Sequence, residues 1–323
     1  MPVRFFRLGF YGLIVFATIA HAKAADCRLN KLTSFDAKLV GNQIQIAAQV
    51  DGETVAAVLD TGSPYNLIDK ALADKLQLPM ERIREGSMID VTGASMKHMT
   101  KAHSVTVGDL KTTGTPFFVM GETGKQQIAD IILGANFLEA NDLELDLAHG
   151  KINMFLPDHC PGQVVYWTHE FVPIPIRLMN GGHIILPVTL NGVETHAMLD
   201  TGAGSTFVSK QLARSKLDID PVASGDQPDG YAIGGTGAKL PFYRHIFDSL
   251  DVGGIQFHHT QLRIAPDTLN WITNNEVHDP QGILLHEDTT NTPITLGMTH
   301  IAKLRLYFSF REQMLYVTPA NAR

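Results

Sequence analysis

At a spacing of 140 residues this chain repeats itself. Leu59-Asp60-Thr61-Gly62 returns as Leu199-Asp200-Thr201-Gly202, Gly52 as Gly192, Ala57 as Ala197, and Lys70, Leu72 and Ala73 as Lys210, Leu212 and Ala213. Further on the match continues with insertions: Val107-Gly108-Asp109-Leu110 pairs with Val252-Gly253-Gly254-Ile255, and Ile132-Leu133-Gly134 with Thr295-Leu296-Gly297. A duplication of this kind implies two copies of one supersecondary unit. Related by a pseudo-twofold axis, they can bring equivalent loops face to face.

Each unit reads as mostly β. Apolar segments at 44–50 and 183–190 run into Asp51-Gly52 and Asn191-Gly192, pairs that favour the tight two-residue turn of a hairpin. A second strand then leads straight into Asp-Thr-Gly, and one short helix follows in each half, near 69–76 and 209–216. Pro157-Asp158-His159-Cys160-Pro161-Gly162 is rich in breakers and lies between the units. The expected organisation is an all-β pair of β-barrel lobes, residues 23–160 and 161–323, behind a separate leader at residues 1–22.

The leader carries the marks of export. Arg4 and Arg7 precede an apolar run at 8–20, and Ala20-His21-Ala22 offers small residues for cleavage. The run is shorter than the roughly 20 residues of a membrane span. A cleaved signal is the first reading, beside a retained anchor and an ordinary N-terminal helix, and no stable membrane span is expected. Export to a periplasm or the exterior follows, and the lack of an Asn-x-Ser/Thr sequon leans toward a bacterial periplasm. Cys27 and Cys160 are the only two cysteines. In an oxidising compartment they are candidates for one disulfide, the alternative being two thiols. With 44% hydrophobic and 18% charged residues and a net charge of −7, the composition is globular. No Lys/Arg cluster offers a surface for nucleic acid.

Two Asp-Thr-Gly copies, each behind an apolar strand and each followed downstream by two apolar residues and Gly, point to a composite site built on Asp60 and Asp200. Attack of water on a peptide carbonyl needs a general base and an acid partner for the carbonyl oxygen. Two carboxyls about 3 Å apart cannot both ionise cheaply, so they share a proton and titrate as a pair.

The pattern resembles the aspartic peptidases of the pepsin and retropepsin type over about residues 40–317. Its short halves and Ile132-Leu133-Gly134-Ala135-Asn136-Phe137-Leu138 look like two retropepsin units fused in tandem, as in bacterial aspartyl-protease-like proteins. The shared proton is the known behaviour of such enzymes and is taken over as such. The resemblance implies an aspartic endopeptidase acting on proteins or peptides, without cofactor or metal, with Asp60 and Asp200 as the catalytic pair. Thr61 and Thr201 would cross-link the two loops through hydroxyl-to-backbone bonds. Gly62 and Gly202 would let the backbone come close and offer their amides to the carboxylates. Leu133-Gly134 and Leu296-Gly297 would support the loops from behind. The next residue is Ser63 in one half and Ala203 in the other. A hydroxyl donor lowers a carboxyl's pKa, so the charge is expected on Asp60, the proton on Asp200, and activity at mildly acidic pH. Both lobes lie in one chain, so a monomer is sufficient for the site.

Thr92-Gly93 and Gly235-Thr236-Gly237 lie where a hairpin over the cleft is expected, glycine permitting a tight turn and opening. Plain surface hairpins are the alternative. The repeat offset grows from 145 at the Val-Gly pair to 163 at Leu-Gly. That difference places an insertion within 267–293, a loop that either shapes one end of the cleft or is simply solvated. Fourteen histidines form no ligand pattern, and His258-His259 would point to opposite faces of a strand. Serine-elbow and phosphate-loop motifs are missing. Two other readings of the same fold are a silent homologue that binds peptides in the cleft and a structural β protein. The first would be free to lose an Asp, Thr or Gly of the motif, and none is lost.

Overall fold

Both halves open on the same turn. Asp51 and Gly52 have φ of 49° and 88°, and Asn191 and Gly192 have 47° and 79°, the left-handed pair that a two-residue hairpin between twisted strands requires. The computed structural model describes residues 28–83, 88–89, 95–121, 129–233, 239–265, 275–278, 284–288 and 292–322. In the first half the elements are β1 (Gln43–Val50), β2 (Glu53–Leu59), β3 (Leu67–Asp69), α1 (Lys70–Lys75), β4 (His98–Val107), β5 (Leu110–Met120), β6 (Ile131–Leu133) and α2 (Ala135–Leu138). In the second they are β7 (Ile184–Leu190), β8 (Val193–Leu199), β9 (Phe207–Ser209), α3 (Lys210–Leu217), β10 (Lys239–Val252), β11 (Ile255–Ala265), β12 (Ile294–Leu296) and α4 (Met298–Ile301).

Each set of six strands closes into a barrel. The first runs β1-β2-β6-β3-β5-β4 and the second β7-β8-β12-β9-β11-β10. Closure comes from Val50↔Val105 in one and Leu190↔Leu250 in the other. Alternation drives this: Ile44, Ile46, Ala48 and Val50 point inward from β1, and Ile184, Leu186, Val188 and Leu190 from β7. A residue period of two puts these side chains on one face.

The helices expected near 69–76 and 209–216 are α1 and α3. Their caps are chemically different and do the same job: the Asp69 carboxylate accepts from Ala71 N at 2.9 Å, and Ser209 Oγ from Leu212 N at 3.1 Å. Each half also has a second helix of one turn, α2 or α4, where only one helix was expected. Within the insertion a two-stranded hairpin forms, Asn275–His278 against Leu284–Asp288, where a loop was expected. Thr92, Gly93, Gly235, Thr236, Gly237, Cys27 and the leader lie outside the described residues. Cys160 is disulfide-bonded. Among the described residues no helix is long and apolar enough to cross a membrane.

Six strands from both expected lobes make one sheet between the barrels, in the order Val172–Pro175, Met314–Pro319, Leu304–Ser309, Asp142–Asp146, Lys151–Phe155, Lys31–Val40. Its central pair is antiparallel, with Leu143↔Phe308, Glu144↔Tyr307 and Leu145↔Leu306. Both faces of this pair are covered, so the acids of Asp142-Leu143-Glu144-Leu145-Asp146 are buried. Each has partners. Arg305 Nε and Nη2 donate to Glu144 Oε1 at 2.8 and 2.5 Å, and Nη2 lies 3.1 Å from Asp146 Oδ2. Asn153 and Tyr166 donate to Glu144 Oε2 at 2.9 and 2.8 Å. His159 Nε2 lies 2.5 Å from Asp142 Oδ2. The Arg305 guanidinium stacks 4.2 Å over the Trp167 ring.

Arg305→Met removes the cation and leaves Glu144 and Asp146 buried without it. A loss of about 3–5 kcal/mol is expected in denaturant unfolding. A change under about 1 kcal/mol would mean that Asn153 and Tyr166 suffice.

Candidate active site

Two strands end at the same place. β2 and β8 deliver Asp60 and Asp200 to the axis between the barrels, and the main chain holds each there. Asp60 N donates to Leu133 O and Asp200 N to Leu296 O, both at 3.0 Å. The donors' partners sit on β6 and β12, which run parallel to β2 and β8. Directly behind the loops, Gly134 and Gly297 leave no room for a side chain. A Cβ on Gly134 would come within 2.6 Å of Ser63 O, and one on Gly297 within 2.7 Å of Ala203 O. Their amides are capped in parallel ways, Gly134 N by Asn66 Oδ1 at 3.1 Å and Gly297 N by Thr206 Oγ1 at 3.0 Å. The supporting role expected of Leu133-Gly134 and Leu296-Gly297 is what these contacts provide.

Across the axis the threonines trade bonds reciprocally. Thr61 N donates to Thr201 Oγ1 and Thr201 N to Thr61 Oγ1, each at 3.0 Å. The hydroxyls go on to the strand ends, Thr61 Oγ1 to Leu199 O at 2.8 Å and Thr201 Oγ1 to Leu59 O at 2.7 Å. Both threonines are buried. Gly62 N donates to Asp60 Oδ1 at 2.9 Å, Gly202 N to Asp200 Oδ1 at 2.8 Å, and Ala203 N to Asp200 Oδ1 at 3.0 Å. A Cβ on Gly62 would strike the Asp200 carboxyl, and one on Gly202 the Asp60 carboxyl. Those two glycines are therefore what allows the loops to meet.

The two carboxyls hydrogen-bond one another. Enclosure raises both above the ordinary carboxyl value, Asp60 the more strongly because the Asp200 charge adds to it. The Ser63 hydroxyl, from which the charge was expected on Asp60, is turned to another acceptor. Ser63 Oγ donates its proton to Tyr65 O at 2.8 Å, so it is spent on the backbone. Asp200 has a polarising neighbour as well, the ring of His183.

Four contributors were not visible in the repeat. Gln43 Nε2 crosses from the first half to donate to Gly202 O at 2.9 Å. Asn66 and Thr206 hold equivalent places with different residues, which hides them from a search for identity. His183 occupies Gln43's place in the second half, and the 140-residue offset could have flagged it.

Thr201→Val keeps the shape but strips a donor and an acceptor from a buried crossing, at a cost of about 2–4 kcal/mol in denaturant unfolding. The raised carboxyls set a pH dependence of opposite sign to the usual acid case. Their folded forms hold protons more tightly than the ordinary value of 3.8, so their contribution is full below that pH and lost as pH rises through the raised values. Asp200→Asn is expected to melt higher than wild type at pH 7, the gain fading toward about pH 4. A gain independent of pH would contradict the raised pair.

Comparison with known proteins agrees with this arrangement. Residues 46–140 match the family of gag-polyprotein aspartyl proteases, and residues 186–299 match the aspartyl protease family. No curated protein matches the chain. The aspartic proteinase from Irpex lacteus is similar in structure, with 12% identity and a TM-score of 0.52, over 90% of this chain and 97% of its own. Basic 7S globulin from soybean aligns at 11% identity and a TM-score of 0.47, over 91% and 96%. A retropepsin-like aspartic protease from Rickettsia conorii aligns at 16% and 0.32, over 47% of this chain and 95% of its own. With two family units in tandem, each containing one Asp-Thr-Gly, the chain belongs to the aspartyl protease family.

Proposed function

We propose that the chain is an aspartic endopeptidase whose catalytic pair is Asp60 and Asp200. The observation that carries this is the meeting of two enclosed carboxyls, joined by a hydrogen bond and held by reciprocal threonine contacts. Asp200, as carboxylate, takes a proton from a water set between the pair while the water oxygen bonds to the peptide carbonyl carbon. Asp60 gives its proton to the carbonyl oxygen, so the tetrahedral intermediate forms neutral. Collapse then breaks the carbon–nitrogen bond as Asp200 passes its proton to the amine nitrogen and Asp60 takes one from a hydroxyl of the intermediate, so the carboxylic acid forms and the dyad again holds one proton. Thr61, Gly62, Thr201, Gly202 and Ala203 act by fixing the carboxyls; Ser63 acts through the Tyr65 carbonyl. The disulfide at Cys160 supports an exported protein.

Cleavage of a denatured protein is expected to fall by about 10²–10⁴-fold or more in both Asp60→Asn and Asp200→Asn. The pH profile of kcat/KM should be a bell with a mildly acidic optimum. Its acid limb is the second protonation of the pair, and its basic limb the loss of the proton shared with Asp60, both above the ordinary carboxyl value. An optimum below about pH 3 would refute the raised pair. Absence of cleavage at every pH, with peptides still retained, would favour a peptide-binding role for the same cleft.

A further inference from the structure

One of the places where the twofold relation between the halves breaks is a polar position beside the dyad. The last recorded pair of β7 and β8 is Ile184↔Leu199, so the next cross-strand neighbours are His183 and Asp200. Gln43 and Asp60 follow in the same way from the β1–β2 register through Gln45↔Val58. Cross-strand neighbours project on one face with Cβ atoms about 4.5–5.5 Å apart. Each aspartate therefore has one polar companion, and the two companions differ. Gln43 is satisfied by its bond to Gly202 O at 2.9 Å. His183 is not: the residue is only 3% exposed, and among the described residues neither Nδ1 nor Nε2 has a hydrogen-bond partner. A buried polar ring without partners is costly, and here its strongest available interaction is with charge.

We propose that His183 is a positioning residue that assigns the two roles of the dyad, holding the negative charge on Asp200 and leaving the proton on Asp60. This rests on reading the pair as the catalytic dyad. Burial lowers the ring's own pKa, and Asp200 pulls it back up; the same attraction lowers that of Asp200. Among the described residues, the other groups around the ring do not replace Asp200. Glu139 follows α2, beside the Asn180–Gly182 turn, where a Cβ on Gly182 would strike its carboxyl; burial raises its pKa and favours the neutral form. Arg177, on the strand Arg177–Leu178 that pairs with β7, faces solvent. The insertion strand Leu284–Asp288 packs on the same turn; its His286, Glu287 and Asp288 side chains lie outside the described residues.

Two measurements test the assignment. The first follows the imidazole of His183 by NMR through a pH titration of the full chain, in wild type, Asp200→Asn and Asp60→Asn. His183 is expected to titrate lower by about one pH unit in Asp200→Asn and to shift less in Asp60→Asn. An unchanged titration in Asp200→Asn overturns the proposal. Because it needs no turnover, this result stands even if wild type cleaves nothing, so failure of the peptidase reading is seen separately. The second places the residue of the other half here, His183→Gln. The acid limb of its kcat/KM profile is expected to move up by about half a pH unit or more. A limb coincident with wild type, with only the melting temperature lowered, marks the ring as packing and overturns the proposal.

Discussion

Everything at the axis depends on the reciprocal crossing of Thr61 and Thr201. Each threonine supplies a hydroxyl that accepts from the opposite amide and donates to the opposite strand end. Neither bond can form without the other half in place, so the geometry of the carboxyls belongs to the pair of loops. The layers behind serve this contact. β6 and β12 fix the depth of each loop through the Asp60 and Asp200 amides, and Gly134 and Gly297 let them pack directly underneath.

The seam between the halves holds two clusters of buried charge handled in opposite ways. In the shared sheet, Glu144 and Asp146 are set against Arg305, and every oxygen of Glu144 has a donor. Such a cluster is costly to break from one side. At the dyad no cation among the described residues is bonded to the carboxyls, and the electrostatic strain is relieved by holding a proton. A cation settles the charge of the first cluster, whereas a bound proton settles that of the second.

Much of this was legible in the sequence because identity survives where only one residue type works. Asp, Thr and Gly at 60–62 and 200–202 have no substitutes that preserve both contacts and clearance. The Asp51-Gly52 and Asn191-Gly192 turns are legible for a related reason, since φ is positive at both positions and few residue types adopt it. What escaped was set by tertiary context. The alternation of Asp142-Leu143-Glu144-Leu145-Asp146 suggests one wet face, yet the neighbouring layers cover it. The direction of the Ser63 hydroxyl depends on the Tyr65 carbonyl 2.8 Å away, which spacing along the chain does not reveal. Asn66 and Thr206 perform one task with two chemistries, as do the caps Asp69 and Ser209.

Joining the two halves in one chain has a consequence beyond holding them together. An assembly of two identical subunits would have to choose every residue twice, so a change useful on one side of the axis would be imposed on the other. Here the copies have been released from that constraint. Gln43 can act as a tether while position 183 carries an imidazole, and Ser63 can face Ala203. Covalent fusion thus turns a symmetric scaffold into one whose left and right hands can be specialised independently, without disturbing the threonine crossing on which both rely.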